Sequence, residues 1–394
     1  MNARRSVVVA VLLLVASEPA FAQSLFATRG LGVPASAIDA RAAALGGIGV
    51  GLIGFHTAMT NPAEVAGVTR RGVAAVLQPV SSTSSANGEE DGTSGTRFPL
   101  FRVIYPLSER VIGSLGYGSY LEQSWAVVTE TDLVIGDRTV RASDLLRSTG
   151  GIAQLQLGVA YSLSPTLSLG AAAGLLTGNL DRVAVRSYSD TSTTNPIQLR
   201  PFEERLRWRY FAPIGAVGFR LDVAGAVRLS GSVLAGGDLK AYAQEGDAED
   251  RTYGAPLEVT TGASARLSPL LMATAGAGWA RLPDAGDGAV SRNTLRLGGG
   301  IEYQGVRSTT RSYPVRLGAR WAQLPYHLAD ETAPTETAIG LGLGFLLGDP
   351  ADPAAVADIA LERGFRSGLD SGSLDGGVEE RLWRFTFSLS LFGR

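Results

Sequence analysis

The C-terminal segment 383–392 alternates strictly between two kinds of side chain. The apolar set is Trp383, Phe385, Phe387, Leu389 and Leu391, and the polar set is Arg384, Thr386, Ser388 and Ser390. Because successive side chains of a strand point to opposite faces, the pattern predicts a strand with one apolar and one polar face. In an exported chain, such a final strand is typical of a β-barrel whose outer wall contacts lipid.

The N-terminus has the features of an export signal. Arg4 and Arg5 precede the apolar run Val7 to Ala16, and Ala20-Phe21-Ala22 fits a signal-peptidase site. We therefore predict that residues 1–22 are a signal peptide, cleaved between Ala22 and Gln23. The alternative, a membrane-anchoring helix, is disfavoured because the apolar run is roughly ten residues long and a spanning helix needs about twenty.

Composition supports a barrel and excludes other classes. Hydrophobic residues make up 45% of the chain, yet no stretch after Ala22 is long and apolar enough for a spanning helix. Alternating strands can hold this apolar content without a continuous run. The absence of cysteine excludes disulfides, thiolate metal sites and cysteine nucleophiles. A net charge of −2 argues against nucleic acid as a partner.

Period-two alternation bounded by turn residues predicts fourteen strands, so residues 71–394 are predicted to form the barrel. The strands are 71–84, 98–106, 110–124, 151–163, 166–188, 203–220, 225–243, 251–267, 270–281, 291–304, 312–324, 335–348, 354–367 and 380–392. Short links such as 107–109 and 164–166 alternate with long polar ones such as 85–97 and 126–150. This arrangement predicts an outer-membrane barrel with both termini in the periplasm.

The strand at 203–220 carries three arginines in alternate positions. Arg205, Arg207 and Arg209 lie opposite Leu206, Trp208 and Tyr210. A cation at the bilayer midplane costs about 2 to 4 kcal/mol, so we expect the arginines to point inward or into the outer rim. Leu206, Trp208 and Tyr210 are then expected to face outward.

The segment between the signal and the barrel, 23–70, does not alternate. Ala35 to Leu45 is rich in alanine and predicts a short helix with Ser36 as a possible cap, ended by Gly46-Gly47. Since a fourteen-strand barrel encloses more space than its own side chains fill, we predict that this segment is a hatch inside the lumen. The alternative, a periplasmic tail, would leave apolar residues in water.

The stretch Ala40 to Gly47, followed by Asn61-Pro62-Ala63, resembles the N-terminal hatch of the FadL-type outer-membrane transporters. The C-terminal segment 379–385 is also similar to the ends of that broad group, which includes PorV-like barrels. Two positions depart from the pattern: Glu64 stands where a glycine is expected, and the chain continues past Phe392 to Gly393-Arg394.

The resemblance implies a monomeric, plugged barrel that passes hydrophobic small molecules such as fatty acids and releases them sideways through its wall. In such barrels the third strand makes the lateral opening, which here points to Gly113, Gly116 and Gly118; close packing against the hatch is the alternative role for these glycines. The expected partners are outer-membrane lipid, the hydrophobic ligand and, during biogenesis, the barrel-assembly machinery. No cofactor is implied.

Two groups of residues are candidates for binding that ligand. The apolar hatch residues are predicted to line a lipophilic site: Leu45, Ile48, Ile53, Phe55 and Met59. Arg205, Arg207 or Arg209 could bind a carboxylate, since a guanidinium pairs with it bidentately.

Other functions remain open to different degrees. An enzyme is not expected, because the two histidines, His56 and His327, have no arranged serine; His327 has only Asp330 and Glu331 close by. The acidic segment 245–250 could hold calcium loosely, but a solvated loop is the default and no metal site is predicted. A scaffold in a secretion or assembly system and an open diffusion porin remain alternatives to the transporter.

Overall fold

The computed structural model describes residues 24–86, 88–135, 138–190, 199–283, 293–304, 311–326, 333–349, 352–368 and 377–393. The predicted signal peptide and its cleavage site lie outside these residues, as do His327, Asp330, Glu331 and Arg394. In the part of the chain that is described, no helix is both long and apolar enough to cross a membrane.

The described residues form a single antiparallel sheet of nineteen strands. The first nine strands are β1 (Val33–Pro34), β2 (Gly72–Ala86), β3 (Glu89–Pro106), β4 (Val111–Glu122), β5 (Trp125–Ile135), β6 (Arg138–Ser162), β7 (Leu167–Asp190), β8 (Phe202–Val223) and β9 (Val227–Gly236). The others are β10 (Leu239–Glu245), β11 (Arg251–Tyr253), β12 (Leu257–Ser268), β13 (Leu271–Arg281), β14 (Asn293–Tyr303), β15 (Arg311–Ser312), β16 (Val315–Gln323), β17 (Thr335–Asp349), β18 (Asp352–Gly368) and β19 (Val378–Phe392).

The sheet closes on itself because β19 pairs with β2 from Val378↔Ala86 to Phe392↔Gly72. Three strands of the wall are interrupted, and each is counted as one wall strand. They are β9 with β10, β11 with β12, and β15 with β16. Strands β1 and β5 lie outside the ring: β1 pairs with β4, and β5 pairs with β6. The wall therefore has fourteen strands, which confirms the predicted antiparallel β-barrel.

Alternation along the wall separates an apolar outer face from a polar inner face. Leu157, Ile339 and Trp383 on the predicted lipid face are 65%, 59% and 47% exposed. Arg384 and Thr386, on the opposite face of β19, are buried. A wall that is apolar outside and polar inside fits a lipid environment, since a soluble barrel would bury its apolar face.

The two ends of the barrel differ. At one end, here called the short-turn rim, the wall strands are joined by the tight links 107–110, 163–166, 224–226 and 269–270. At the other end, the long-loop rim, β6 and β7 continue to lengths of 25 and 24 residues. A membrane span needs about 9 to 11 residues, so these strands extend beyond the bilayer.

The predicted loop 126–150 is instead a hairpin of β5 with the first half of β6, paired from Trp125↔Ser148 to Ile135↔Arg138. Likewise, most of the predicted loop 85–97 belongs to β2 and β3. Above the bilayer both faces of a strand can meet water, so these strands lack the apolar alternation that identifies membrane spans.

Of the two positions expected for the arginines on β8, the structure shows the outer rim, and it turns Trp208 and Tyr210 inward where they were expected to face outward. Arg205 and Arg209 are exposed on the outer face and Arg207 is partly exposed there, whereas Trp208 and Tyr210 are 4% and 2% exposed inside the barrel. These arginines lie above the bilayer, where an outward cation meets water or headgroups and not hydrocarbon. The lipid-facing rule therefore does not apply at their height.

The segment 24–70 lies inside the ring, where Ala37 faces Gly118 of β4, Ala63 faces Gly170 of β7, and Gly46 faces Gly298 of β14. It contains helix α1 (Ala40–Ala44) and two 3₁₀ turns, Leu25–Thr28 and Pro62–Val65. Helix α1 is shorter than predicted and its cap is Asp39, not Ser36, whose hydroxyl accepts a hydrogen bond from Arg296. We call segment 24–70 the hatch.

Candidate functional site

Asp39 joins two parts of the hatch. Its Oδ1 accepts a hydrogen bond from the Ala42 N–H at 2.9 Å and so caps helix α1. Its Oδ2 accepts from the backbone N–H of Thr57 at 2.5 Å and from the Thr57 hydroxyl at 3.1 Å. One buried carboxylate therefore fixes the start of α1 against Thr57, which lies fifteen residues after Ala42 in the hatch.

The Asn61-Pro62-Ala63 turn fastens the hatch to the wall. Asn61 Oδ1 accepts from the Ala63 N–H at 2.9 Å, and Asn61 Nδ2 donates to the Phe219 carbonyl of β8 at 3.0 Å. A Cβ at Gly170 or Gly218 would overlap this turn, so glycine is required at both wall positions. The motif that carried the family resemblance thus has an anchoring role in the structure.

Glu64, the departure from the family pattern, is fully buried and holds three groups. It accepts from the Gly51 N–H at 2.8 Å, lies 3.4 Å from His56 Nε2 and lies 4.0 Å from Arg228 Nη1. Burial raises the pKa of the Glu64 carboxyl, but His56, the Gly51 N–H and Arg228 together outweigh burial and lower the pKa to about 2. The carboxylate is therefore ionised at neutral pH.

The depressed pKa of Glu64 predicts an acid-sensitive hatch. Its contribution to stability is present above the unfolded pKa of about 4.3 and is lost as pH falls through the folded value of about 2. The contribution is on the order of 3 kcal/mol. Urea unfolding in detergent between pH 5 and 2 should show a steeper loss of stability in the wild type than in Glu64→Gln. Parallel pH profiles of the two proteins would contradict the role of Glu64.

Arginines of the wall hold the hatch by its backbone. Arg102 Nη1 donates to the Ala58 carbonyl at 2.6 Å, Arg228 Nη1 donates to the Leu52 carbonyl at 2.8 Å, and Arg220 Nη1 donates to the Ala66 carbonyl. Charge-assisted hydrogen bonds are about twice as strong as neutral ones. With attachments on β3, β8 and β9, the hatch is fixed across the lumen.

Arg41 of the hatch makes four side-chain hydrogen bonds. Its Nε and Nη2 bind Glu302 of β14 at 2.8 and 3.2 Å, and its Nη1 and Nη2 also donate to the Phe55 and Ile53 carbonyls. Arg316 of β16 shares Glu302 at 2.7 Å and continues to Asp358 of β18 at 2.6 Å. This lower network links the hatch to three strands.

A second buried network crosses the inner wall nearer the long-loop rim. Glu336 of β17 accepts from Arg320, Arg366 and Arg384 at 2.9, 2.7 and 2.8 Å. Arg320 also pairs with Glu362, and Arg366 also pairs with Glu380 at 2.9 Å. Glu336 is therefore the hub of this upper network, which binds neighbouring strands β16 to β19 together.

Groups of three or more acidic or histidine side chains placed to hold a metal do not occur in the described residues.

The structure separates the apolar hatch residues that were predicted to line one lipophilic site. Leu45 and Ile48 pack onto wall glycines, with Leu45 against Gly300 and Ile48 against Gly276. Ile53 and Phe55 border a lower cavity of about 670 Å³ that opens near the short-turn rim. Met59 borders a different, upper cavity. The outward-facing Arg205, Arg207 and Arg209 border neither the lower nor the upper cavity.

The upper cavity has a volume of about 150 Å³ and lies between the hatch segment 33–38 and the wall. Its charged lining residues are Arg97, Glu258, Arg296, Arg320, Glu336, Glu362 and Arg384. Its apolar lining includes Tyr120 and Leu282, which belong to an apolar cluster inside the barrel, and Leu234, which packs against that cluster. The buried members of the cluster are Leu31, Tyr120, Leu121, Ile152, Leu176, Leu180, Trp208, Tyr210, Ala212, Ile214, Leu239, Ala241, Tyr253 and Leu282.

The sequence interpretation missed this apolar cluster. A usable signal exists on β8, where Phe211, Val217 and Phe219 face lipid at odd positions. Continuing the same phase toward the long-loop rim places even-numbered Trp208 and Tyr210 inside the barrel. The inward position of these two members of the cluster then follows from a single alternation of inward and outward side chains along the whole of β8.

Strand β4, the third wall strand, is irregular at Tyr120. It pairs regularly with β3 and β6 through Gly113, Gly116 and Gly118, but its register with β6 shifts between Ser119 and Leu121. Beyond it, the ladder between β6 and β7 skips Gly151 and Ile152. Gly116 and Gly118 instead make room for Met59 of the hatch, and Gly113 lies beside Leu107.

Known proteins place this architecture in a family. A family model described as BamG matches residues 3–205, which is more than half of the 394-residue chain. No curated protein gives a significant match.

Solved structures with the same fold include a Pseudomonas aeruginosa FadL homologue and two toluene transporters. The FadL homologue is 13% identical over 92% of this chain and 99% of its own, with a TM-score of 0.58. The Ralstonia pickettii transporter TbuX is 17% identical over 94% and 100%, with a TM-score of 0.53. The P. putida transporter TodX is 13% identical over 92% and 99%, with a TM-score of 0.55. The chain thus has the FadL-type outer-membrane barrel fold, and it belongs to the BamG family.

Proposed function

We propose that the barrel passes small hydrophobic molecules across the outer membrane, and that they enter the lumen from the long-loop rim. The observation that carries the proposal is the apolar part of the lining of the upper cavity, formed by Tyr120, Leu234 and Leu282. These side chains face the lumen, so contact with lipid does not account for their apolar character. The toluene transporters TbuX and TodX share the fold, which supports the same class of function.

The cavity volume favours a compact cargo over an extended one. About 150 Å³ is the size of an engineered apolar cavity that binds benzene. A single aromatic ring therefore fits wholly within the upper cavity, whereas a long-chain fatty acid would extend out of it. We accordingly assign a monoaromatic hydrocarbon as the preferred cargo, in place of the fatty acid expected from the sequence.

The proposed exit lies in the wall beside Tyr120. The register shift of β4 at Tyr120 and the pairs that the β6–β7 ladder skips at Gly151 and Ile152 interrupt two neighbouring wall ladders side by side. Tyr120, Leu121 and Ile152 belong to the apolar cluster that adjoins the upper cavity. A lateral path at this point would join an apolar lumen directly to lipid. Under this proposal the short-turn rim faces the periplasm.

Filling the upper cavity should block uptake. Ala280 of β13 borders the cavity, and Ala275 of the same strand is exposed on the outer face. We expect Ala280→Trp to lower uptake of labelled toluene about tenfold, a loss of about 1.4 kcal/mol in binding. The matched variant Ala275→Trp should leave uptake unchanged. Heat-modifiable migration on gels would establish that equal amounts of both variants are folded.

A second candidate is a structural role in the barrel-assembly machinery, which the family description BamG favours. The hatch is bound to the wall at many points, which also suits a structural role in which the hatch does not move. Full uptake by Ala280→Trp, together with stable co-purification of assembly components, would replace the transporter proposal with this one. An open diffusion porin is disfavoured because the hatch spans the lumen and is bound to β3, β8, β9 and β14.

A further inference from the structure

Two cations that form no ion pair with the described residues lie side by side on the outer face of the barrel, on the neighbouring strands β8 and β10. Arg209 is opposite Tyr242 and Lys240 is opposite Phe211 in the ladder, so Arg209 and Lys240 are diagonal neighbours. Diagonal residues of adjacent strands are roughly 7 to 8 Å apart, which lets two long side chains converge on one ligand. Both side chains are exposed.

Their charges are not neutralised within the described residues. The nearest arginine on the same face, Arg207, binds Asp181 at 2.5 Å and Glu245 at 3.2 Å, so these two carboxylates are already paired. Arg205 pairs with Glu203 at 3.5 Å. Arg209 and Lys240 have no such partner, and Lys240 is also the only lysine in the chain. The pair therefore presents two positive charges outward.

The position of the pair fits the boundary of the bilayer. Below Arg209 the outer face of β8 is apolar at Phe211, Val217 and Phe219, which are 45%, 59% and 42% exposed. From Phe211 to the short turn at 224–226 there is enough strand for one span of about 9 to 11 residues. Phe211 and Tyr242 then lie at the level where aromatic girdles meet headgroups, and each cation is the ladder partner of one ring, Lys240 of Phe211 and Arg209 of Tyr242.

A surface groove is present at this place. It has a volume of about 480 Å³ and is bordered by Arg209, Phe211, Tyr242, Ala243, Gln244 and Asp250. The one carboxylate among these residues is held by the backbone, since Asp250 Oδ1 accepts from the Ala243 N–H at 2.8 Å. The groove thus combines an unpaired guanidinium with two aromatic rings at the upper edge of the apolar belt.

We propose that Arg209 and Lys240 bind the phosphate of an anionic lipid in the outer leaflet. The guanidinium can bind phosphate oxygens bidentately, and the ammonium supplies a second point charge. Phe211 and Tyr242 contact the acyl chains and the glycerol or sugar part of the same lipid. A lipid is favoured over a free anion because the aromatic rings continue the site into the hydrocarbon region. This site is independent of the cargo in the lumen.

The test uses the full-length mature barrel in nanodiscs that contain either phosphorylated lipid A or the same lipid without its phosphates. After gentle detergent extraction, native mass spectrometry would count the lipid retained per barrel. We expect Arg209→Gln with Lys240→Gln to retain about thirtyfold less phosphorylated lipid A than the wild type, given roughly 1 kcal/mol for each of the two cations near a charged surface. The control Arg205→Gln removes a paired arginine farther from the bilayer and should retain the wild-type amount.

Three results would overturn the proposal. The first is equal retention of phosphorylated lipid A by the double variant and the wild type. The second is equal retention of the phosphate-free lipid by the wild type, since the phosphate would then contribute nothing. The third is complete displacement of the lipid by excess inorganic phosphate, which would identify a site for free anions. Heat-modifiable migration of the double variant keeps a folding defect from being read as a loss of lipid.

Discussion

Replacing Arg41 with alanine is expected to destabilise the protein by about 3 to 5 kcal/mol, which is the usual cost of removing one partner of a buried ion pair. The change removes two hydrogen bonds to Glu302 and two to the hatch carbonyls of Ile53 and Phe55. Glu302 keeps Arg316 but loses its link to the hatch. Urea unfolding in detergent, followed by tryptophan fluorescence and heat-modifiable migration, would measure the loss.

Arg381→Ala is the matched control for Arg41→Ala. Arg381 is exposed on β19 and lies 3.9 Å from Glu379, a surface pair that contributes at most about 1 kcal/mol. Equal stability of Arg41→Ala and the wild type would contradict the conclusion that Arg41 anchors the hatch. If the hatch alone loosens, the variant should also become sensitive to protease at the segment around Gly54, which is exposed in the wild type.

Substitution of the upper hub, Glu336→Gln, is also expected to cost about 3 to 5 kcal/mol. The neutral amide would leave three guanidiniums close together, of which Arg320 keeps Glu362 and Arg366 keeps Glu380. Arg384 pairs with Glu336 and has no second carboxylate in the described residues. It would therefore remain buried as an uncompensated charge, and the same unfolding measurement would record the cost.

Glu362→Gln tests whether the position of Glu336 as hub decides the effect. Glu362 binds only Arg320 among the described residues, and Arg320 would keep Glu336 as its partner at 2.9 Å. We expect Glu362→Gln to cost clearly less than Glu336→Gln. Equal losses for the two variants would mean that the network acts as a diffuse set of charges, without a hub.

Much of the barrel could be predicted because lipid imposes a strict two-residue period on every wall strand. This period identified the lipid face of β6, β16, β17 and β19 and the number of wall strands. It failed where the bilayer ends. The hairpin of β5 with β6 and the outward arginines of β8 lie above the bilayer, where no hydrocarbon constrains which side chains face outward.

The candidate site was harder to predict because its contacts depend on the shear of the barrel. Arg41 and Glu302 are 261 positions apart in the chain. Alternation indicates that Glu302 faces inward, but only the register of fourteen strands determines which hatch residue it meets. The role of Gly116 and Gly118 was hard to predict for the same reason. They leave space for Met59, and that contact depends on where the hatch lies in the lumen.

Ring closure has a consequence for the order of folding. The strand that seals the ring, β19, is the last of the described strands in chain order, and it must find β2, whose residues lie some three hundred positions earlier in the chain. The hatch precedes them both, yet it takes partners from late segments: Arg41 binds Glu302, and Ser24 binds Glu380 at 2.7 Å. The N-terminal segment therefore cannot reach its final place until the C-terminal third has assembled, so hatch docking is among the last steps of folding.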